Sequence, residues 1–170
     1  MLFLPGMVKK GNLGLDRSTP SGQDGFTRMS DLRGAGTSPS SLTAEASCGR
    51  AYVLVSVLMP VRNEARFVAR SLHAILTQDY PVDRLEVIVA DGLSDDGTRE
   101  CVRDIAQRDS RVQMIDNPGR IVSTGMNAAI RHARGEIIIR VDGHCEIARD
   151  YVRRCVAHLE NGDAEAIGGS

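Results

Sequence analysis

The stretch "YVLVSVLMPVRNEARFVARSLHAILTQDYP", Tyr52–Pro81, decides the fold. Tyr52–Val61 is a near-continuous apolar run, rich in valine and interrupted at Pro60, which predicts a strand buried on both faces. Beyond it Val68, Leu72, Ile75 and Leu76 recur at helical spacing, and Tyr80–Pro81 stops the helix. The stretch is one strand–helix unit of a parallel sheet.

The theme repeats downstream. "LEVIVADG" (Leu85–Gly92) is a second buried strand, "SDDGT" supplies capping residues, and Cys101, Val102, Ile105 and Ala106 form a second helical stripe. "RVQMID" is a third strand, and "IVSTGMNAAIRHA" a helix with Val122, Met126, Ala129, Ile130 and Ala133 on one side. "EIIIRVD" is a fourth strand, "RDYVRRCVAHLEN" a helix with Val152, Cys155, Val156 and Leu159 inward, and "AEAIGGS" opens a fifth strand. Alternation of this kind predicts an α/β fold, a three-layer parallel sheet with right-handed crossovers, cut short after the fourth βα unit.

Residues 1–50 read differently. They are rich in Gly, Ser, Thr and Asp without an apolar period, which predicts a disordered extension ahead of a folded part at 51–170. Met7 and Met29 offer later translation starts. At 170 residues the chain has room for one domain, and its formal net charge of −1 gives no argument for a nucleic-acid or membrane-surface partner. With no Trp and 4% aromatic residues, base-stacking platforms are not expected. The four cysteines form no C-x-x-C pair, and neither a signal-peptide core nor a membrane-length apolar run is present, so a cytoplasmic protein with reduced thiols is expected.

In parallel α/β sheets ligands bind beyond the carboxyl ends of the strands, which here places Pro60–Glu64, Asp91–Asp96, Asn117–Arg120 and Asp142–Glu146 along one edge. In "PVRNE", Arg62, Asn63 and Glu64 either cap the next helix or contact a nucleoside. Asp91 either closes an Asx-type turn or accepts an N–H from a base. In "RVDGHCE", Asp142 and His144 lie on one side if the chain stays extended, and either share a divalent cation or form a polar turn. A zinc site from His144, Cys145, Cys155 and His158 matches no compact finger spacing. G-x-G-x-x-G, G-x-x-x-x-G-K-[ST] and G-x-S-x-G are all absent, which speaks against a dinucleotide oxidoreductase, a phosphate-loop NTPase and a serine hydrolase.

Together, "VSVLMPVRNEARFVARSLHAILTQDYP", "EVIVADGLSDDGT" and "ARGEIIIRVDGH" resemble the nucleotide-sugar half of a family-two glycosyltransferase of GT-A fold, most of all enzymes of the succinoglycan-biosynthesis type. The resemblance runs from about Val53 to Ser170. It implies a nucleotide site at Pro60, Arg62, Asn63, Glu64, Asp91 and Asp142, and a divalent cation, Mn²⁺ or Mg²⁺, at Asp142 and His144. His144 stands where the family's D-x-D motif has its second acid, and a neutral imidazole favours Mn²⁺. Met126 stands where many relatives carry a basic residue.

The implied partners are a nucleotide-diphosphate sugar, UDP-type favoured, and a glycan or lipid-linked acceptor, met in full-length relatives at the inner face of the membrane. The family's catalytic base and acceptor half lie beyond Ser170, so no catalytic residue is assigned, and a donor-binding fragment with little turnover is expected. A non-enzymatic nucleotide- or partner-binding module, or a truncated gene product, is the alternative.

Overall fold

A computed structural model describes residues 6–9, 52–161 and 166–168. The strands are β1 (Gly6–Lys9), β2 (Val55–Val61), β3 (Leu85–Asp91), β4 (Val112–Asp116), β5 (Ile137–Arg140) and β6 (Ala166–Gly168), and the helices are α1 (Val68–Leu76), α2 (Thr98–Arg108), α3 (Val122–His132) and α4 (Tyr151–Glu160). They form one sheet in the order β4-β3-β2-β5-β1-β6. The four strands expected to be parallel, β2 to β5, are parallel to their neighbours among themselves.

Every residue of β2 and β3 is buried, which is what two central strands with helices on both faces require. Side chains alternate between the faces. Val55, Val57, Met59 and Val61 of β2 join Val87 and Val89 of β3 and Ile137 and Ile139 of β5 in a core closed by α1, α2 and α4. Leu58, Ile88, Ala90 and Ile138 point the other way, where Ala129 and Ala133 from α3 and its end cover them. Three layers result. The small alanines let α3 lie close on its face, and Met126 packs against this second core rather than carrying a charge.

Two features differ from the sequence reading. Residues 6–9, inside the stretch expected to be disordered, form β1, which pairs antiparallel with β5 (Met7↔Ile139) and with β6 (Met7↔Ile167). A short run with no apolar period carries little strand signal of its own; the open backbone donors and acceptors of β5 supply the template. The rest of the expected extension, 10–50, lies outside the described residues. Helix α1 begins at Val68, the first residue of its apolar stripe, but ends at Leu76, short of Tyr80–Pro81, where the Gln78 N–H turns to the Ile75 carbonyl. Among the described residues no helix is long and apolar enough to cross a membrane.

The order places β2 between β3 and β5, so the connection leaving β2 runs to one side and the chain later returns to the other. That reversal is a topological switch point, where the loops following two adjacent strands diverge and leave a crevice.

Candidate functional site

A cleft of about 300 Å³ opens at the switch point. It is lined from the end of β2 (Pro60, Arg62, Glu64), the β4–α3 loop (Asn117, Arg120, Ile121) and the segment after β5 (Arg140, Asp142, His144). Pairing of β2 with β5 ends at Leu58↔Arg140, whereas β2 continues with β3 to Val61↔Asp91. Pro60 therefore does not end its strand. It sits where β5 has already departed, and a residue with no N–H to donate suits that parting.

After β5 the chain does not stay extended. The Cys145 N–H donates to the Asp142 carbonyl at 3.0 Å, closing a turn over Asp142–Cys145. Alternation is thus not what brings Asp142 and His144 together; the turn does, and both still line the cleft. Asp142 is nearly buried, and its Oδ1 accepts from Arg140 Nε at 3.0 Å and Nη2 at 2.9 Å. His144 Nδ1 lies 3.0 Å from Glu64 Oε1. Ser71, buried on α1, donates its hydroxyl to the Gly143 carbonyl at 2.8 Å and fastens the turn from below. The lining holds three arginines, Arg62, Arg120 and Arg140, against two carboxylates, Glu64 and Asp142, so the cleft is net cationic with His144 neutral.

Asn63 and Asp91 do not line the cleft; they build its wall. Asp91 is fully buried. Its Oδ1 accepts from the Ser94 hydroxyl at 2.5 Å, and its Oδ2 accepts from the Ser94 N–H at 3.0 Å and Arg99 Nη1 at 2.5 Å. Asn63 Oδ1 accepts from the Asp95 N–H at 3.1 Å, while the Asn63 N–H donates to the Ser94 hydroxyl. Asp96 joins the same two loops by accepting from the Ala65 N–H at 3.0 Å. The Thr98 hydroxyl, with the Ala65 and Thr98 N–H groups, holds the Asp96 carboxyl below its ordinary range.

The third loop is braced by Asn117, whose Nδ2 donates to the Ile121 carbonyl and whose Oδ1 accepts from the Thr124 hydroxyl at 2.7 Å. Asn63, Leu93 and Arg120 each adopt a left-handed backbone, at φ of 56°, 55° and 57°. Leu and Arg take that conformation only where surrounding contacts impose it, and each of the three falls in a loop after a strand.

Arg140, Ile121 and Val122 escaped the sequence reading. Arg140 is the last residue of an apolar strand, and its position two before Asp142 was the available signal. Ile121 and Val122 resemble core residues of α3, yet they are 58% and 48% exposed at the cleft mouth.

The zinc alternative finds no support in the geometry. Cys155 is buried on the apolar stripe of α4. Burial, and then the Asp142 carboxylate, push the Cys145 thiol above its ordinary value, away from the thiolate a metal needs. Among the described residues no group of three or more His, Cys, Asp or Glu side chains is placed to hold an ion.

Residues 56–170 match the sequence model of the family described as "Glycosyl transferase family 2". The chain belongs to glycosyl transferase family 2. Within that family it is 30% identical over 117 residues to "Glycosyltransferase AglE" of Haloferax volcanii, covering 68% of this chain and 38% of that protein. It is 36% identical over 102 residues to "Succinoglycan biosynthesis protein ExoA" of Rhizobium meliloti, covering 59% and 31%. The family-2 chain thus spans about a third of the length of these relatives. Among solved structures, the mannosyltransferase PcManGT from Pyrobaculum calidifontis, in complex with GDP-Man and Mn²⁺, superposes with a TM-score of 0.61 at 35% identity, covering 65% of this chain and 33% of that one. TarS of S. aureus superposes with a TM-score of 0.57 at 22% identity, covering 65% and 20%, a likeness of fold. The fold is α/β of the GT-A glycosyltransferase type, as expected from the sequence.

Proposed function

We propose that residues 51–170 form the donor-binding half of a glycosyl transfer site, and that the switch-point cleft takes a nucleoside diphosphate-sugar. The observation that carries this reading is the convergence of Arg62, Arg120 and Arg140 with Asp142 at the cleft where β2 and β5 part. Guanidinium groups pair with phosphate oxygens through paired N–H donors, and a low-dielectric wall strengthens the attraction. The apolar Ile121 and Val122 beside them offer a surface for the less polar part of such a ligand. Asn63 and Asp91 act through the frame, holding the Ser94 loop against the end of β2.

A divalent cation fits this cleft as a bound companion of the diphosphate. Arg140 engages Asp142 Oδ1 and Glu64 engages His144 Nδ1, so Asp142 Oδ2 and His144 Nε2 are the atoms left to a ligand. Two protein donors are too few for a dedicated cage, but they suit an ion whose remaining positions are filled by phosphate oxygens and water. When bound, the cation supplies positive charge to the diphosphate leaving group. The imidazole favours Mn²⁺ over Mg²⁺. The relative that is 35% identical is in complex with GDP-Man and Mn²⁺, which supports both the ligand class and the metal, while the uridine preference expected from the sequence stands open to measurement against guanosine.

The cleft residues bind and orient the donor; deprotonating an acceptor hydroxyl is assigned to none of them. Calorimetric titration with UDP and GDP, each with and without Mn²⁺, and with NAD as control, tests the proposal. Nucleoside diphosphate binding that Mn²⁺ strengthens is the expected result. Equal affinity for NAD, or no diphosphate binding under any of these conditions, overturns it.

A further inference from the structure

We infer that Glu64 is a positioning residue for His144, fixing the imidazole in the tautomer whose Nε2 is left to the cleft, so that the two side chains act as one unit in place of a second metal-binding acid. The metal part of this inference rests on the proposed donor site; the tautomer part does not.

The Glu64–His144 contact is built from both sides. Glu64 leaves the end of β2 with its N–H donated to the Thr98 hydroxyl at 2.8 Å and its carbonyl held by the N–H groups of Phe67 and Val68. Its position is thus set by α1 and by the start of α2. The side chain then passes over Gly143. A Cβ at residue 143 would stand 3.2 Å from Glu64 Cγ and 2.8 Å from Val61 Cγ1, so the glycine between Asp142 and His144 is what gives Glu64 its path. At the end of that path Oε1 meets His144 Nδ1 at 3.0 Å. On the far side, Ser71 clamps the Gly143 carbonyl. Two contacts 7 residues apart on one helix–loop segment, from Glu64 and Ser71, therefore bind the turn that carries His144.

An ionised carboxylate only accepts hydrogen bonds, so Nδ1 carries the proton and the lone pair of the neutral ring resides on Nε2. A carboxylate behind a metal-binding imidazole also limits its rotation. The carboxylate charge that a D-x-D motif has at its second acid is here one side chain further back. This explains why a neutral residue occupies the place without the site losing its negative partner.

The test uses the full chain with His selectively ¹⁵N-labelled. Long-range ¹⁵N–¹H correlation spectra, with His144 identified by its loss in His144→Ala, are expected to show the Nδ1–H form in the unliganded protein and a shift toward Nε2–H in Glu64→Ala. Mn²⁺ affinity in saturating UDP or GDP is expected to fall roughly 10–100-fold in Glu64→Ala. It should fall no further in Glu64→Ala/His144→Ala than in His144→Ala alone, whereas Glu64→Gln, which keeps the shape and an acceptor oxygen, falls between. Additive losses in the double variant, or an Nε2–H tautomer in the unsubstituted protein, overturn the inference. If the unsubstituted protein binds no nucleoside diphosphate, the proposed function fails, while the tautomer shift caused by Glu64→Ala still upholds the positioning role.

Discussion

Asp91–Gly92 and Asp142–Gly143 are the same dipeptide beside the carboxyl ends of two strands of one sheet, Asp91 closing β3 and Asp142 two residues past β5. Their surroundings set them apart. Asp91 is enclosed, with Ser94 and Arg99 filling both carboxylate oxygens, and Arg99 also reaches Asp116 at 2.7 Å. Asp142 shares one oxygen with Arg140 and lines a cleft. An acid at a strand end becomes a structural post or a ligand site according to the next few residues: Ser94 and Arg99 fold back on the first, whereas a turn after the second puts His144 with it on the cleft lining.

The largest difference between the two is expected in stability. Asp91→Ala leaves Arg99 with only Asp116 and strands the Ser94 loop, and should lower unfolding stability in urea by about 2–3 kcal/mol. Asp142→Asn should leave the urea midpoint close to unchanged by comparison and instead weaken Mn²⁺-dependent nucleotide binding about tenfold, about 1.4 kcal/mol. A protein in which both substitutions act only on stability would erase the contrast.

The glycines sharpen it further. A methyl at Gly143 meets the buried Val61 at 2.8 Å, and Gly143→Ala should destabilise by about 1 kcal/mol and disturb Mn²⁺ affinity as well. The nearest neighbour of a methyl at Gly92 is the side chain of exposed Arg62, from 3.1 Å, which can give way, and Gly92→Ala should stay within about 0.5 kcal/mol in the same denaturation experiment.

The smallest effect concerns a third acid, Glu86, at the opposite end of β3 from the cleft. Burial raises its carboxyl, but hydrogen bonds from the Ser56 hydroxyl at 2.6 Å and from the Arg134 N–H and guanidinium outweigh it and hold the group below its ordinary value. A depressed folded value adds stability above the unfolded carboxyl range, about pH 4.3, and that stability is lost as pH falls through the folded value. Glu86→Gln should therefore flatten the acid side of a melting-temperature profile measured against the unsubstituted protein.

Much of this was legible in the chain. Val55–Val61 and Leu85–Asp91 announced central strands because burial on both faces removes polar alternation. The three site loops followed from topology, since ligands in such sheets gather where strands end. What escaped was set by distant partners. Gly6–Lys9 is too short to announce a strand by itself, because its hydrogen bonds depend on Ile137–Ile139. Nothing in "RNE" says that Glu64 meets His144, 80 positions away, or that Asn63 supports Ser94 instead of facing the cleft. Arg140 read as a strand end because its pairing with Asp142 depends on where β5 leaves β2.

Strand β1 also sets an order of events during synthesis. Lys9 pairs with Ile137, so a strand made among the first residues must wait for a partner made 128 positions later. At ribosomal rates that wait is roughly 6–25 s. The β2, β3 and β4 ladders need no such delay, since each pairs with its near neighbour in the chain. The ladders of β2, β3 and β4 can thus assemble as they emerge, the cleft gains its last wall when β5 and the turn after it arrive, and β1 is then drawn in beside β5. The strand made before its neighbours is thus paired after them, between β5 and β6.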